Sequence, residues 1–161
     1  MVIVFTFQKI NNLENDLTKT TIESYIDSFA GFPFFEDFWK YEQVYESFEK
    51  ALKKNFSSLV VPVVKDESIG GSLGYLLNNE LLGDVLYIAE TFIKQDMQGQ
   101  KIGKKLFSNF LDTLPTSEFS TILRTKDESP AQKMYGTFGF ETIDMRISNP
   151  PYENAVWMVK E

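Results

Sequence analysis

Apolar residues recur along this chain in two rhythms, and the change between them near Asn55 divides it. Residues 2–7 form a short apolar run that reads as a strand. Thr20 or Thr21 then stands as the N-cap of a helix with Ile22, Tyr25, Ile26 and Phe29 on one face. Gly31 to Pro33 interrupts it. Beyond, Phe34, Phe38, Tyr41, Tyr45, Phe48 and Leu52 recur at alternating steps of four and three, which predicts a longer second helix. After Asn55 the period shortens. Ser58–Val64 and Ser72–Leu77 read as the strands of a hairpin, with a polar turn from Lys65 to Gly71. Leu86–Ile93 is a third run of strand length.

A glycine-punctuated turn leads into a helix from about Gly99 to Leu114. Its stripe is Ile102, Leu106, Phe107, Phe110, Leu111 and Leu114. Thr121–Thr125 is a strand candidate. Ser129–Phe138 reads as a helix with Ser129 as N-cap, Pro130 at the first helical position and Gln132 completing a capping box. Gly139 supplies its stop. Two last strands, over Glu141–Ile147 and Ala155–Val159, flank the Asn149-Pro150-Pro151 loop. The order is β-α-α-β-β-β-α-β-α-β-β, an α/β mixture with a largely antiparallel start, and one domain over residues 1–161.

Composition narrows the chemistry more than the architecture. The 161 residues include no cysteine and no histidine. A disulfide, a thiolate zinc site, a cysteine nucleophile and a histidine-based triad are all excluded, and no metal is expected. Proton transfer must therefore use Asp, Glu, Tyr, Lys, a backbone group or water. The formal net charge of -7 argues against generic nucleic-acid binding. No apolar run approaches membrane-spanning length, and Met1–Phe7 lacks a basic leader, so a cytoplasmic location is expected.

One segment departs from the acidic background. Lys94 to Lys105 holds four lysines against one aspartate. Within it, Gln98-Gly99-Gln100-Lys101-Ile102-Gly103-Lys104 lies between a buried strand and a helix N-terminus. The first amides of that helix lack intrahelical acceptors, the dipole favours an anion, and glycine lets a phosphate approach the backbone. Walker and dinucleotide-binding spacings are absent. Taken alone, the segment is equally an ordinary strand-to-helix turn with a solvated lysine face.

Extended on both sides, it resembles the cofactor motif of the GNAT acetyltransferases. That pattern is Gln/Arg-x-x-Gly-x-Gly/Ala between a strand and a helix. Gln98 and Gly103 match its ends, while Lys101 stands where the middle glycine is usual. Downstream, Glu128-Ser129-Pro130-Ala131-Gln132-Lys133-Met134-Tyr135-Gly136-Thr137-Phe138-Gly139-Phe140 resembles the family's Asn-x-x-Ala-x-x-Leu-Tyr-x-x-x-Gly-Phe segment. Ala131, Tyr135, Gly139 and Phe140 fall in register, and Glu128 stands where asparagine is common.

The resemblance implies a GNAT-type mixed central sheet with flanking helices, and acetyl-CoA as cosubstrate. It implies direct attack of a neutral amine on the thioester, without an acyl-enzyme. The amides from Gln98 through Lys104 would bind the pyrophosphate, with Lys101 either adding a charge-assisted contact or narrowing the loop. Glu128 takes the position of the asparagine that touches the cofactor. Phe92 and Ile93 would lie along the pantetheine arm, and an amide near Ile93 would face the thioester oxygen. Tyr135 is the family's position for protonating the departing thiolate; its plainer reading is a core tyrosine. Glu90 is the candidate base, or else it binds a cationic acceptor or faces outward. Nine of the 24 aromatic residues fall between Phe29 and Phe48. Of these, Phe32, Phe34, Phe35 and Trp39 are expected to wall the acceptor pocket, and the others to pack the core. The acceptor would be a small-molecule or peptide amine. Family members often pair, so a homodimer is a further expectation. A non-catalytic acyl-CoA-binding module is the alternative, favoured by Lys101 and Glu128.

Overall fold

The β-branched and aromatic runs of the sequence assemble into one sheet. In the computed structural model, which describes residues 3–32, 34–80, 82–143 and 155–161, its strands are β1 (Thr6–Lys9), β2 (Ser58–Val64), β3 (Glu67–Ser68), β4 (Gly70–Asn79), β5 (Gly83–Ile93), β6 (Thr121–Lys126), β7 (Glu141–Ile143) and β8 (Ala155–Lys160). The helices are α1 (Thr18–Ala30), α2 (Tyr41–Leu52), α3 (Ile102–Leu111) and α4 (Pro130–Thr137). Strand order is β1-β2-β4-β5-β6-β8-β7, with β3 paired to β2. Every pairing is antiparallel except β5 with β6, which α3 connects as a crossover.

Each face carries its own core. Leu106, Phe107 and Phe110 of α3, with Tyr135 of α4, pack on Leu86, Ile88, Ile93 and Leu123. On the other face Ile22 and Tyr25 of α1, with Val44 and Phe48 of α2, pack on Leu59, Val61, Leu73 and Phe92. Period-two alternation along β5 thus sends Phe92 to one layer and Ile93 to the other. Among the described residues no helix is long and apolar enough to cross a membrane.

Where the elements differ from expectation, local hydrogen bonds explain it. The first strand is Thr6–Lys9 rather than 2–7, set by pairing with Val60–Val63. α1 begins at Thr18 because Asn15 Oδ1 accepts from the Leu17 amide at 2.8 Å. Thr21, expected as a cap, instead bonds back to the Leu17 carbonyl at 2.8 Å. The second helix starts at Tyr41, not near Phe34. The chain after α1 folds into a turn, with the Phe34 and Phe35 amides bonded to the Gly31 carbonyl, and continues without helix to Lys40.

The hairpin turn is tighter than the sequence suggests. Lys65 and Asp66 are both left-handed, at φ 50 and 65, and two such residues reverse the chain by themselves. Gly70 and Gly71 therefore belong to β4. They suit a close approach, since a Cβ on Gly71 would lie 2.8 Å from the Phe92 ring. Ser129 does cap α4, accepting from the Gln132 amide at 3.2 Å. The capping box is displaced by one residue, because Gln132 Oε1 accepts from Glu128 N–H, not from Ser129. The expected extension of β7 to Ile147 and the Asn149-Pro150-Pro151 loop lie outside the described residues.

Candidate active site

Two irregularities of β5 build the site. Between the pairs Leu73–Glu90 and Gly74–Ile88 the register with β4 shifts, leaving Ala89 as a bulge. On its other edge β5 pairs with β6 only from Leu86 to Ile88. Beyond Ile88 the two parallel strands part, so the last residues of β5 keep one edge unpaired. The Lys94 amide bonds to the Ile69 carbonyl on the β4 side at 2.9 Å. By alternation the N–H and C=O of Ile93 point the opposite way, toward the gap.

A cleft of about 530 Å³ occupies that gap. The end of β5, the N-terminus of α3 and the first turns of α4 form its walls. Of the residues expected at the cofactor and catalytic sites, Phe92, Ile93, Gln98, Gly99, Lys101, Ile102, Gly103, Lys104 and Tyr135 line it. Gln98 is oriented by a bond from its Nε2 to the Ile93 carbonyl at 2.8 Å, which ties the loop to the strand. Its own amide already bonds to the Gln95 carbonyl. The amide cradle therefore begins at Gly99, one residue later than expected. From Gly99 to Lys104 the amides have no hydrogen-bond acceptor among the described residues.

The two departures from the family pattern share a conformation. Lys101 is left-handed at φ 63, and Glu128 is left-handed at φ 59. These are backbone shapes that glycine and asparagine adopt most readily. The loops thus keep the bends their usual residues would favour, with side chains that adopt them at a cost. Lys101 and Lys104 face the cleft. Glu128 and Gln100 are exposed and do not line it.

Glu90 and Tyr135 approach the same stretch of β5 from opposite faces. Tyr135 is 6% exposed and packs against Phe107 and Phe140, so it is a core residue and a cleft residue at once. Burial pushes its pKa up to about 12, and the Thr91 side chain beside its hydroxyl pulls it back. The Thr91 hydroxyl in turn meets Ser72 Oγ at 2.8 Å. Glu90, the neighbour of Thr91, points to the α1 face, where Tyr25 Oη donates to its Oε1 at 3.3 Å. Burial pushes the Glu90 carboxyl up to about 8, and Glu36 adds to the rise. The Tyr25 bond and Arg124 pull it back.

Of the expected acceptor-wall residues, Phe32 and Phe34 line the cleft. Phe35 is 68% exposed and outside it. Trp39 packs on Tyr25 and donates to Glu36 Oε1 at 2.9 Å, away from the cleft. Thr91 and Tyr25 escaped the sequence reading. Thr91 carries a local signal, a hydroxyl beside an acid in an apolar strand. Tyr25 has none, because its partner lies 65 positions away.

The family model for the acetyltransferase (GNAT) domain matches residues 15–160. This chain belongs to the GNAT acetyltransferases. It is accordingly an N-acetyltransferase, and acetyl-CoA is the family's cosubstrate. Solved structures share the fold at low identity. A Pyrococcus horikoshii OT3 protein, PH1933, superposes with a TM-score of 0.77 at 20% identity, covering 98% of each chain. The PaiA N-acetyltransferase of Thermoplasma acidophilum, solved with coenzyme A, gives 0.71 at 14% identity over 99% of each chain. Arabidopsis thaliana Naa50, solved with the bisubstrate analogue CoA-Ac-MVNAL, gives 0.61 at 21% identity over 98% of each chain. No curated protein sequence matches.

The cleft of this GNAT chain fits the cosubstrate. Free amides and two lysines suit a pyrophosphate, and the unpaired edge of β5 suits an amide-bearing arm. Replacing Lys101 by glycine should relieve the left-handed strain and raise unfolding stability by about 1 kcal/mol. CoA should bind severalfold more weakly for want of the charge. Denaturant melts and calorimetry read the two effects separately.

Proposed function

We propose that this GNAT enzyme moves an acetyl group from acetyl-CoA directly to a primary amine of a small molecule or peptide. The observation that carries this is the position of Glu90 and Tyr135 on opposite faces of β5, with Glu90 next to Thr91 in sequence and Tyr135 beside the Thr91 side chain. Acetyl-CoA supplies the acyl group as a thioester, whose C–S bond breaks as the N–C amide bond forms. Glu90 takes the proton that the amine loses. Its elevated pKa suits a base working near neutral or mildly alkaline pH. Tyr135 remains protonated throughout that range and donates its hydrogen to the departing sulfur. The inward-facing Ile93 amide stabilises negative charge on the carbonyl oxygen.

Two predictions test the reading. Thiol release, with mass detection of the amide, should follow mixing with acetyl-CoA and at least one member of an amine and peptide panel. Tight CoA binding with no product from any amine would make the protein a binding module instead. Tyr135→Phe should lower kcat by about a hundredfold while CoA affinity changes little. An unchanged rate would return Tyr135 to a packing role.

A further inference from the structure

On the α1 face, opposite the cleft, the parted strands carry opposite charges. Arg124 follows Leu123, the last β6 residue paired with β5, and shares its face with Ile122 and Trp157. Glu90 is the first residue of β5 beyond the bulge and shares its face with Phe92 and Tyr25. The two side chains therefore flank the gap at the level where the strands separate.

The Arg124 guanidinium is held but not neutralised. It lies over the Trp157 ring, 5.4 Å from the centroid, and beside the Tyr87 side chain, whose pKa it pulls down against the rise from burial. Among the described residues no carboxylate comes within ion-pair distance of it; the ion pair found there joins Lys94 to Asp96 at 3.7 Å. A guanidinium carries five donors in a rigid fork that matches a carboxylate. With one side on an indole and a phenol beside it, most of that fork is left for an incoming anion. At the other end of the face sit two acids, Glu90 and Glu36. Glu36 adds to the rise in the Glu90 pKa and is fixed by Trp39. At mildly alkaline pH, where Glu90 is ionised, the face is thus dipolar, negative near Tyr25 and positive near Trp157.

We propose that the acceptor is an amine carrying a carboxylate, with Arg124 gripping the carboxylate while the amine faces Glu90. Ionised Glu90, with Glu36 beside it, draws in the ammonium form at mildly alkaline pH, and Glu90 then holds the proton it gives up. The overall charge of -7 suggests a purely cationic acceptor; the dipolar face points to a zwitterion. The proposal rests on the acetyl-transfer reading, and its test is chosen so that the two can fail separately.

The experiment compares matched acceptors, each an amino acid and its carboxamide, over a series of amine-to-carboxylate spacings. The wild-type enzyme should favour the carboxylate member by about tenfold or more in kcat/KM for the spacing that fits. Arg124→Gln should bring that ratio close to one, chiefly through KM. Arg124→Lys, which keeps a charge but loses the fork, should leave an intermediate ratio. CoA binding by calorimetry reports whether each variant is folded, and the lysine variant decides if the glutamine variant is not. A wild-type ratio of one or less at every spacing overturns the proposal. So does a variant that keeps the wild-type ratio, including one that only shifts the pH profile, because Arg124 would then merely tune Glu90. Glu90→Gln assayed on the carboxamides alone reads the base assignment, independent of that ratio. Absence of turnover with every acceptor defeats the acetyl-transfer reading and takes this proposal with it.

Discussion

Glu90→Gln should cut kcat/KM at pH 8 by a factor on the order of a hundred to a thousand, and should also make the protein more stable at that pH. The two effects have one cause. Burial raises the carboxyl from its ordinary 4.5 to about 8. Between those values the unfolded chain releases the proton while the folded chain keeps it. The folded state then binds more protons, so stability is full below about 4.5, falls as pH rises toward 8, and levels off above. Glutamine accepts the same Tyr25 hydrogen bond and does not ionise, so it escapes the fall. The difference in Tm between variant and wild type should grow from pH 5 to pH 8 and then stay constant. Parallel Tm curves would mean that the carboxylate is better solvated than its place beside Tyr25 and Glu36 implies. The wild-type kcat/KM should rise with pH, reach half its plateau near pH 8 and level off above it when the acceptor amine is already neutral, so that the limb belongs to the enzyme. A rate that survives in the variant would leave Glu90 no part in proton removal. Stability and rate answer separate questions, and only their joint change marks a base held at a cost to the fold.

What was legible in the sequence follows the range of the interactions. The α3 stripe, the Ser129 cap and the Gln98–Gly103 turn are largely local features and appear where their patterns imply, although α3 runs only from Ile102 to Leu111, short of the expected Gly99 to Leu114. The second helix starts at Tyr41, later than the spacing predicts, because Phe34 and Phe38 keep a helical spacing by coincidence. Their true partners are Phe29 and Trp39, in a turned segment that bonds back to Gly31. The hairpin turn was drawn too long because Gly70 and Gly71 look like turn residues. In fact they clear space for Phe92, a contact across strands. The same limit governs the site. Glu90 and Tyr135 were visible as residue types in a family pattern. The bulge at Ala89, just before Glu90, and the Tyr25 bond were not legible in the sequence. Arg124 gave no signal, since its meaning comes from the parting of β5 and β6 and from Trp157 on a later strand.

Gly103→Asp should weaken CoA binding by a factor on the order of a hundred or more without unfolding the protein. Gly103 is the second residue of α3, and a Cβ there would meet Ile93 Cγ1 at 3.8 Å and Met134 Sδ at 3.9 Å, both ordinary contacts. A side chain therefore fits the empty fold. A carboxylate in the first turn of a helix also favours the dipole by about 0.3–1 kcal/mol. Thermal stability should hold or rise slightly, which removes misfolding as the explanation of lost binding. With a pyrophosphate in the cradle the balance reverses. The new carboxylate would sit among the amides of Gly99 to Lys104 that the phosphates need, and like charges at such range cost several kcal/mol. Gly103→Ala separates shape from charge: it should bind CoA far better than the aspartate variant. If both variants lose binding equally, backbone approach rather than repulsion excludes the phosphates. If the aspartate variant binds CoA as the wild type does, the phosphates lie elsewhere and the amide cradle at α3 is not their site.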